Sequence, residues 1–109
     1  MVGSNYERKL RDDLRAQGWV VFRSAGSHVA DLIALKPNSH MIIEVKSVSG
    51  NKYYTSSEKE QFNLLNEYAK QGFNVYYYIW FKGKRNDWQR YQLPLMPYPV
   101  FEYERKNKT

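Results

Sequence analysis

Apolar side chains recur at two different periods along this chain of 109 residues, and each change of period marks a new element. Tyr6, Leu10 and Leu14 share one helical face, Gly18 stops the run, and Ser4-Asn5-Tyr6-Glu7 has the form of a capping box. The spacing therefore predicts a helix from about Asn5 to Gln17. Trp19 to Arg23 is β-branched and aromatic and reads as a strand, with a loop of small residues from Ser24 to His28. Two further strands are predicted at Val29 to Leu35 and Met41 to Val45, and the Lys36 to His40 connection is short enough for an antiparallel hairpin. After a polar loop, Ser57-Glu58-Lys59-Glu60 forms a second capping box. It opens a helix on which Gln61, Leu65 and Tyr68 share a face, with Phe62 and Ala69 close by, ending at Gly72. Asn74 to Phe81 follows as a buried strand, and the order strand, helix, strand implies a right-handed crossover between parallel neighbours. Lys82 to Asn86 reads as a basic turn into a last strand at about Trp88 to Leu93. Pro94, Pro97 and Pro99 break regular structure, and Arg105 to Thr109 reads as a loose basic tail. The expected fold class is α/β, a central mixed β-sheet flanked by helices. It forms one domain over residues 1–109, of which about 94–109 is a Pro-rich, basic extension.

Composition narrows what such a domain does. With no cysteine, disulfide staples, thiolate nucleophiles and cysteine-bound zinc are excluded, and nothing calls for an oxidising compartment, so a cytoplasmic location is expected. The longest apolar run, Val75 to Phe81, is far shorter than the roughly 20 residues that span a bilayer, which predicts a soluble protein with no membrane partner. Lys and Arg outnumber Asp and Glu by 17 to 11, and 17% of the residues are aromatic. That balance favours a polyanionic partner, and nucleic acid fits best. Arg8, Arg11 and Arg15 fall on one stripe of the first helix; with Lys82, Lys84 and Arg85 in the basic turn they are the candidate phosphate contacts, although such a stripe can equally be a solvated face.

Two acids break strands otherwise built to be buried: Asp31 in Val-Ala-Asp-Leu-Ile-Ala-Leu, and Glu44 in Met-Ile-Ile-Glu-Val-Lys. Burying an unpaired carboxylate is costly. The cost falls if the hairpin sets both acids beside one hard divalent cation, since Mg²⁺ prefers oxygen ligands. Glu44 and Lys46 are two apart and so face the same way on a strand, which brings an ammonium to the same place, able to orient water or steady charge on a phosphate. The plainer alternative is a solvated edge strand carrying a surface salt bridge.

The residues Gly3-Ser4-Asn5, Glu7-Arg8, Leu10, Gly18, Arg23 to Ser27, Asp31-Leu32-Ile33-Ala34 and Ile43-Glu44-Val45-Lys46-Ser47, in this order, resemble the archaeal-type Holliday junction resolvases. These belong to the restriction-endonuclease-like superfamily with the PD-(D/E)xK motif, and the resemblance runs from about Gly3 to Gly72. It implies a restriction-endonuclease-like core and a Mg²⁺-dependent homodimer, with Mn²⁺ able to substitute, that nicks paired strands of four-way DNA junctions. It also implies that Asp31, Glu44 and the Val45 backbone carbonyl hold the metal, with Glu7 completing the acidic site directly or through water, and that Lys46 is the catalytic lysine. Arg23 and Ser27 would meet DNA, and Gln61 would approach the site in support. Each has an alternative: Glu7 as the third member of its capping box, Arg23 as the partner of a nearby acid, Ser27 as an ordinary loop serine, Gln61 as a polar helix edge. His28, without a second ligand nearby, reads as a loop or DNA-facing residue. The chain departs from the family in having Ala30 where the motif's proline stands, a short loop between Arg23 and Asp31, and an unmatched segment after Leu93. These departures keep open a nuclease of the same fold acting on flaps, restriction targets or phage replication intermediates, and a DNA-binding module without catalysis.

Two symmetric nicks need two sites, and one chain carries a single acidic cluster, so a C₂ pair is expected. Phe62, Tyr68, Phe73, Tyr76, Tyr78 and Trp80 are more large rings than one small sheet and two helices are expected to cover. The second helix and its neighbouring strand are therefore the expected interface of a dimer near twice the 13.0 kDa chain mass.

Overall fold

The computed structural model describes residues 2–24, 30–84 and 87–105. A five-stranded mixed sheet has the order β1 (Val20–Arg23), β2 (Leu32–Lys36), β3 (Ser39–Val48), β5 (Val75–Phe81), β6 (Trp88–Gln92). Helix α1 (Val2–Ala16) covers one face and α2 (Lys59–Lys70) the other; a small sheet pairs β4 (Lys52–Tyr54) with β7 (Val100–Glu102). β3 and β5 are parallel, as the crossover pattern predicts, and every other neighbouring pair is antiparallel.

The β2–β3 hairpin closes through Pro37-Asn38. Proline presets φ at the first turn position, and Asn38, at φ 63°, supplies the left-handed conformation that asparagine tolerates well. β3 is the central strand, and its alternation builds both cores. Met41, Ile43 and Val45 pack with Leu10 and Leu14 of α1, while Ile42 and Val48 pack toward Phe62, Leu65 and Ala69 of α2.

Several expectations are corrected. Helix α1 begins at Val2, so Ser4 lies inside it and not at its N-cap. A serine inside a helix costs only about 0.5 kcal/mol, which the packing of Leu10 and Leu14 outweighs. Ser57 does not cap α2 either. Its hydroxyl donates to the Tyr54 carbonyl at 2.8 Å, and Thr55–Glu58 forms a 3-10 turn that leads into the helix. Asp31 precedes β2 rather than interrupting it, and β3 extends through Lys46 to Val48. The proline-bearing segment contains a strand, β7, because Phe101 is buried against Tyr53 and Tyr77. The surplus of exposed rings is not found: Phe62 and Tyr78 are buried, and Tyr68, Tyr76 and Trp80 are half-buried. β6 and the C-terminal segment supply the cover, through Trp88 against Trp80 and Tyr98 against Phe62. Of the six, only Phe73 is exposed. One cluster of apolar side chains left to solvent is instead Val20 and Phe22 of β1 with Ile33 and Leu35 of β2, paired across the strands on the face away from α1. Ser27, His28 and Arg85, and most of the predicted loop and tail, lie outside the described residues.

Candidate metal and phosphodiester site

The site forms just before β2 begins, beside the part of β3 that runs on past it. The Asp31 amide donates to the Ile43 carbonyl at 2.9 Å, and the Asp31 side chain then takes over from the missing strand: its Oδ2 accepts the Val45 N–H at 2.8 Å. Within an extended strand one residue's N–H and C=O point to the same side. The Val45 carbonyl therefore turns to Asp31's side, beyond the first residue of β2, where no ladder partner waits among the described residues. An aspartate does this because its short side chain offers an acceptor in place of a backbone carbonyl.

Glu44 projects from β3 onto the α2 face, beside Tyr77 of β5 in the parallel register. It is buried, and among the described residues its Oε1 has no hydrogen-bond partner. Its Oε2 lies 3.1 Å from the Lys46 ammonium. Burial, with the Asp31 charge adding to it, pushes the Glu44 carboxyl up to about 8, even against the pull of Lys46. Asp31 is raised as well, by burial first and by the neighbouring Glu7 carboxyl, while the Val45 N–H opposes the shift. Lys46 is pulled down by burial, but Glu44 and Glu58 outweigh that and hold its ammonium above the ordinary value. Two adjacent carboxyls that resist ionising, one with a buried orphan oxygen, form a donor set of the kind a divalent cation satisfies. The residues present fit a hard divalent cation, with Asp31, Glu44 and the Val45 carbonyl as candidate ligands. Among the described residues no three acidic or imidazole groups gather closely enough to hold one ion.

Glu7 does reach the site from α1, and its Oε1 accepts from Arg23 Nη2 at 3.0 Å. Pairing with a nearby acid, one of the two readings of Arg23, is thus what the structure contains. Gln61 sits in the first turn of α2, its buried Oε1 also without a partner among the described residues. Arg8 is exposed, with Asn5 Oδ1 3.5 Å away; Arg11 pairs with Asp12 at 2.9 Å; and Arg15 donates to the Val21 carbonyl at 2.9 Å. Lys82 and Lys84 lie just past β5, whose Trp80 ring touches Tyr6 of α1 and carries the Lys9 ammonium at 5.2 Å. The N-terminal half of α1 and this turn thus border one end of the sheet, the end at which Lys46 stands beside Ile79 of β5.

Sequence reasoning missed Glu58. Its Oε1 is in a short ion pair with Lys46 and accepts from the Tyr53 hydroxyl at 2.6 Å. These contacts outweigh its partial burial and hold its carboxyl below the ordinary value. The only local signal was its place in a capping-box pattern, which concealed the longer-range role.

Over residues 1–98 the chain matches the family described as archaeal Holliday junction resolvase (hjc). It is 43% identical over 56 residues to the crossover junction endodeoxyribonuclease Hjc of Methanocaldococcus jannaschii, a match covering 51% of this chain and 42% of that protein. Against the protein of the same name from Sulfurisphaera tokodaii it is 42% identical over 76 residues, 63% of this chain and 51% of the relative. The chain spans about half the length of the curated relatives it matches. The structure of Archaeoglobus fulgidus Hjc, a Holliday junction resolvase, superposes with a TM-score of 0.72 at 22% identity, over 84% of this chain and 73% of that one. The likeness establishes the shared restriction-endonuclease-like fold.

Proposed function

This chain belongs to the archaeal Holliday junction resolvase family, and on that premise we propose that it is a Mg²⁺-dependent endodeoxyribonuclease that nicks paired strands of four-way DNA junctions as a homodimer. The observation that carries the reading is the Asp31–Glu44 pair at the start of β2, with a Glu44 oxygen left without a partner among the described residues and the Lys46 ammonium 3.1 Å from its other oxygen. Asp31, Glu44 and the Val45 carbonyl would hold the ion, with Glu7 completing the acidic site directly or through water. When bound, a divalent cation supplies positive charge that polarises the phosphate and acidifies water. Lys46 holds a proton-rich cation where charge grows on the phosphate oxygens as water oxygen bonds to phosphorus and the bridging P–O bond breaks. Gln61, with its own orphan oxygen, helps to orient water.

Arg8, Arg11, Arg15, Arg23, Ser27, Lys82, Lys84 and Arg85 are the proposed DNA contacts. Arg11 and Arg23 exchange their acidic partners for phosphates on binding. A second copy covers the exposed Val20, Phe22, Ile33 and Leu35 together with Phe73 and Leu64 of the α2 side. That modifies the interface expected from sequence: α2 stays, while the β1–β2 face replaces β5. The complex works where junctions form, in the cytoplasm.

The test is a gel assay with Mg²⁺ or Mn²⁺ on a synthetic four-way junction, a flap and a linear duplex. Paired nicks on the junction alone are expected. No nicking, or equal cutting of linear duplex, overturns the reading. Sedimentation at micromolar concentration should give about twice the 13.0 kDa chain mass; a monomer that resolves junctions overturns the paired-site arrangement.

A further inference from the structure

Lys46 has two acidic neighbours rather than one, and the second does not come from the metal-binding strands. Glu58 ends the 3-10 turn before α2 and reaches back so that its Oε1 meets both the Lys46 ammonium and the Tyr53 hydroxyl, the latter at 2.6 Å. The Lys46 side chain is 18% exposed against 47% for Glu58, so the lysine is inside the site and the glutamate at its rim. The Tyr53 ring lies under the ammonium, 5.8 Å away.

The turn that carries Glu58 is itself anchored. Thr55 is fully buried, and both its N–H and its hydroxyl donate to the Pro99 carbonyl, at 3.3 and 2.7 Å. Tyr53 pairs with Phe101 in the small sheet. Asn66 of α2 grips Leu95 with its side-chain amide, donating to the Leu95 carbonyl and accepting its N–H, both at 2.9 Å. The proline-bearing C-terminal segment is therefore a strap that fixes the Tyr53–Glu58 turn against β3 and α2.

An ion pair at a surface contributes little to stability, at most about 1 kcal/mol, so the contact of half-exposed Glu58 with Lys46 is not explained by folding alone. A lysine has four rotatable bonds and rests in one place only if something holds it. We propose that Glu58, braced by Tyr53 and the C-terminal strap, is a positioning residue that sets the Lys46 ammonium for the reaction. The inference rests on the nuclease reading above. It gives the segment after Leu93 a part in the site that is exerted through Tyr53 and Thr55. Glu58 acts by sharing the ammonium with Glu44, so that Lys46 is held between the two carboxylates instead of resting on the metal-binding one alone.

The test uses the full chain with Glu58→Gln, Glu58→Asp and Tyr53→Phe, and Glu60→Gln as the control on an exposed neighbour. Single-turnover cleavage of a four-way junction at saturating enzyme should slow about tenfold or more in Glu58→Gln, as misplacement of a reacting group does. Junction affinity should stay within about twofold, Glu58→Asp should recover part of the rate, and Tyr53→Phe should lose less. Independently, the Lys46 Nζ–Hζ signal of ¹⁵N-lysine-labelled protein, identified by its absence in Lys46→Arg, should shift or broaden in Glu58→Gln and stay put in Glu60→Gln. Unchanged or faster cleavage in Glu58→Gln, a loss confined to affinity, or an unmoved Lys46 signal overturns the proposal. A wild-type chain that cuts no DNA overturns the nuclease reading alone, and the Lys46 signal then still decides whether Glu58 positions it.

Discussion

The two faces of β3 are built from alternate residues of one strand, yet they answer to different demands. Toward α1, Met41, Ile43 and Val45 enter an apolar layer with Leu10, Leu14, Leu32 and Tyr78, in which no charged residue is buried among the described residues. Toward α2, the strand places Glu44 and Lys46 between the apolar Ile42 and Val48, and the layer there includes Tyr53 and Tyr77 with their hydroxyls. Since both faces share a backbone, register and rigidity, the polar face gains its fixed geometry from the packing of the apolar one. A site that tolerates a buried carboxyl with an orphan oxygen needs a well-packed scaffold behind it.

The largest expected effect breaks only the polar face. Asp31→Ala, Glu44→Gln or Lys46→Ala should each lower junction cleavage by roughly 10³-fold or more while junction binding persists. Activity above a tenth of wild type in any of them, measured in Mg²⁺, would show that the chemistry is elsewhere. Ile43→Ala on the opposite face should do the reverse. Ile43 is fully buried, and its truncation should cost about 2 to 5 kcal/mol in urea unfolding, with the metal-free Glu44→Gln protein at least as stable as wild type. Equal destabilisation by the two changes would erase the distinction between the faces.

Acidity sharpens the same contrast. In metal-free protein the folded Glu44 carboxyl, raised from 4.5 to about 8, keeps its proton where the unfolded one has lost it. Its contribution to stability is complete below about pH 4.5 and is lost as pH rises toward 8, since the folded state then binds more protons than the unfolded one. Melting in EDTA should therefore fall by about 5 °C or more between pH 5 and 8.5, the fall should shrink in Glu44→Gln, and Mg²⁺ should oppose it. A Glu44→Gln profile parallel to that of wild type would contradict this. The smallest expected effect concerns the rim. Removing Arg8 or Lys84 should reduce the salt dependence of junction binding by about 0.9 in log-log slope for each phosphate left without its cation, with cleavage at saturation little changed. An unaltered slope places the DNA elsewhere.

Local periodicity alone determined the helices around Leu10 and Leu65, the β2–β3 hairpin, the parallel return at β5 and the pairing of Glu44 with Lys46 on one face. Each depends on spacing within a few residues or on the order of neighbouring elements. Charged residues within apolar stretches of sequence likewise marked Asp31, Glu44 and Lys46. Tertiary structure alone decided that Asp31 ends a ladder by accepting the Val45 N–H, that Arg23 pairs with Glu7, and that Glu58 belongs to Lys46 instead of a helix cap. It also decided that Lys52–Tyr54 finds Val100–Glu102, two three-residue strands whose pairing no local pattern announces. The physical reason is common to the three side-chain choices. A polar side chain has several short-range partners of nearly equal worth, and burial, which depends on residues far along the chain, selects among them.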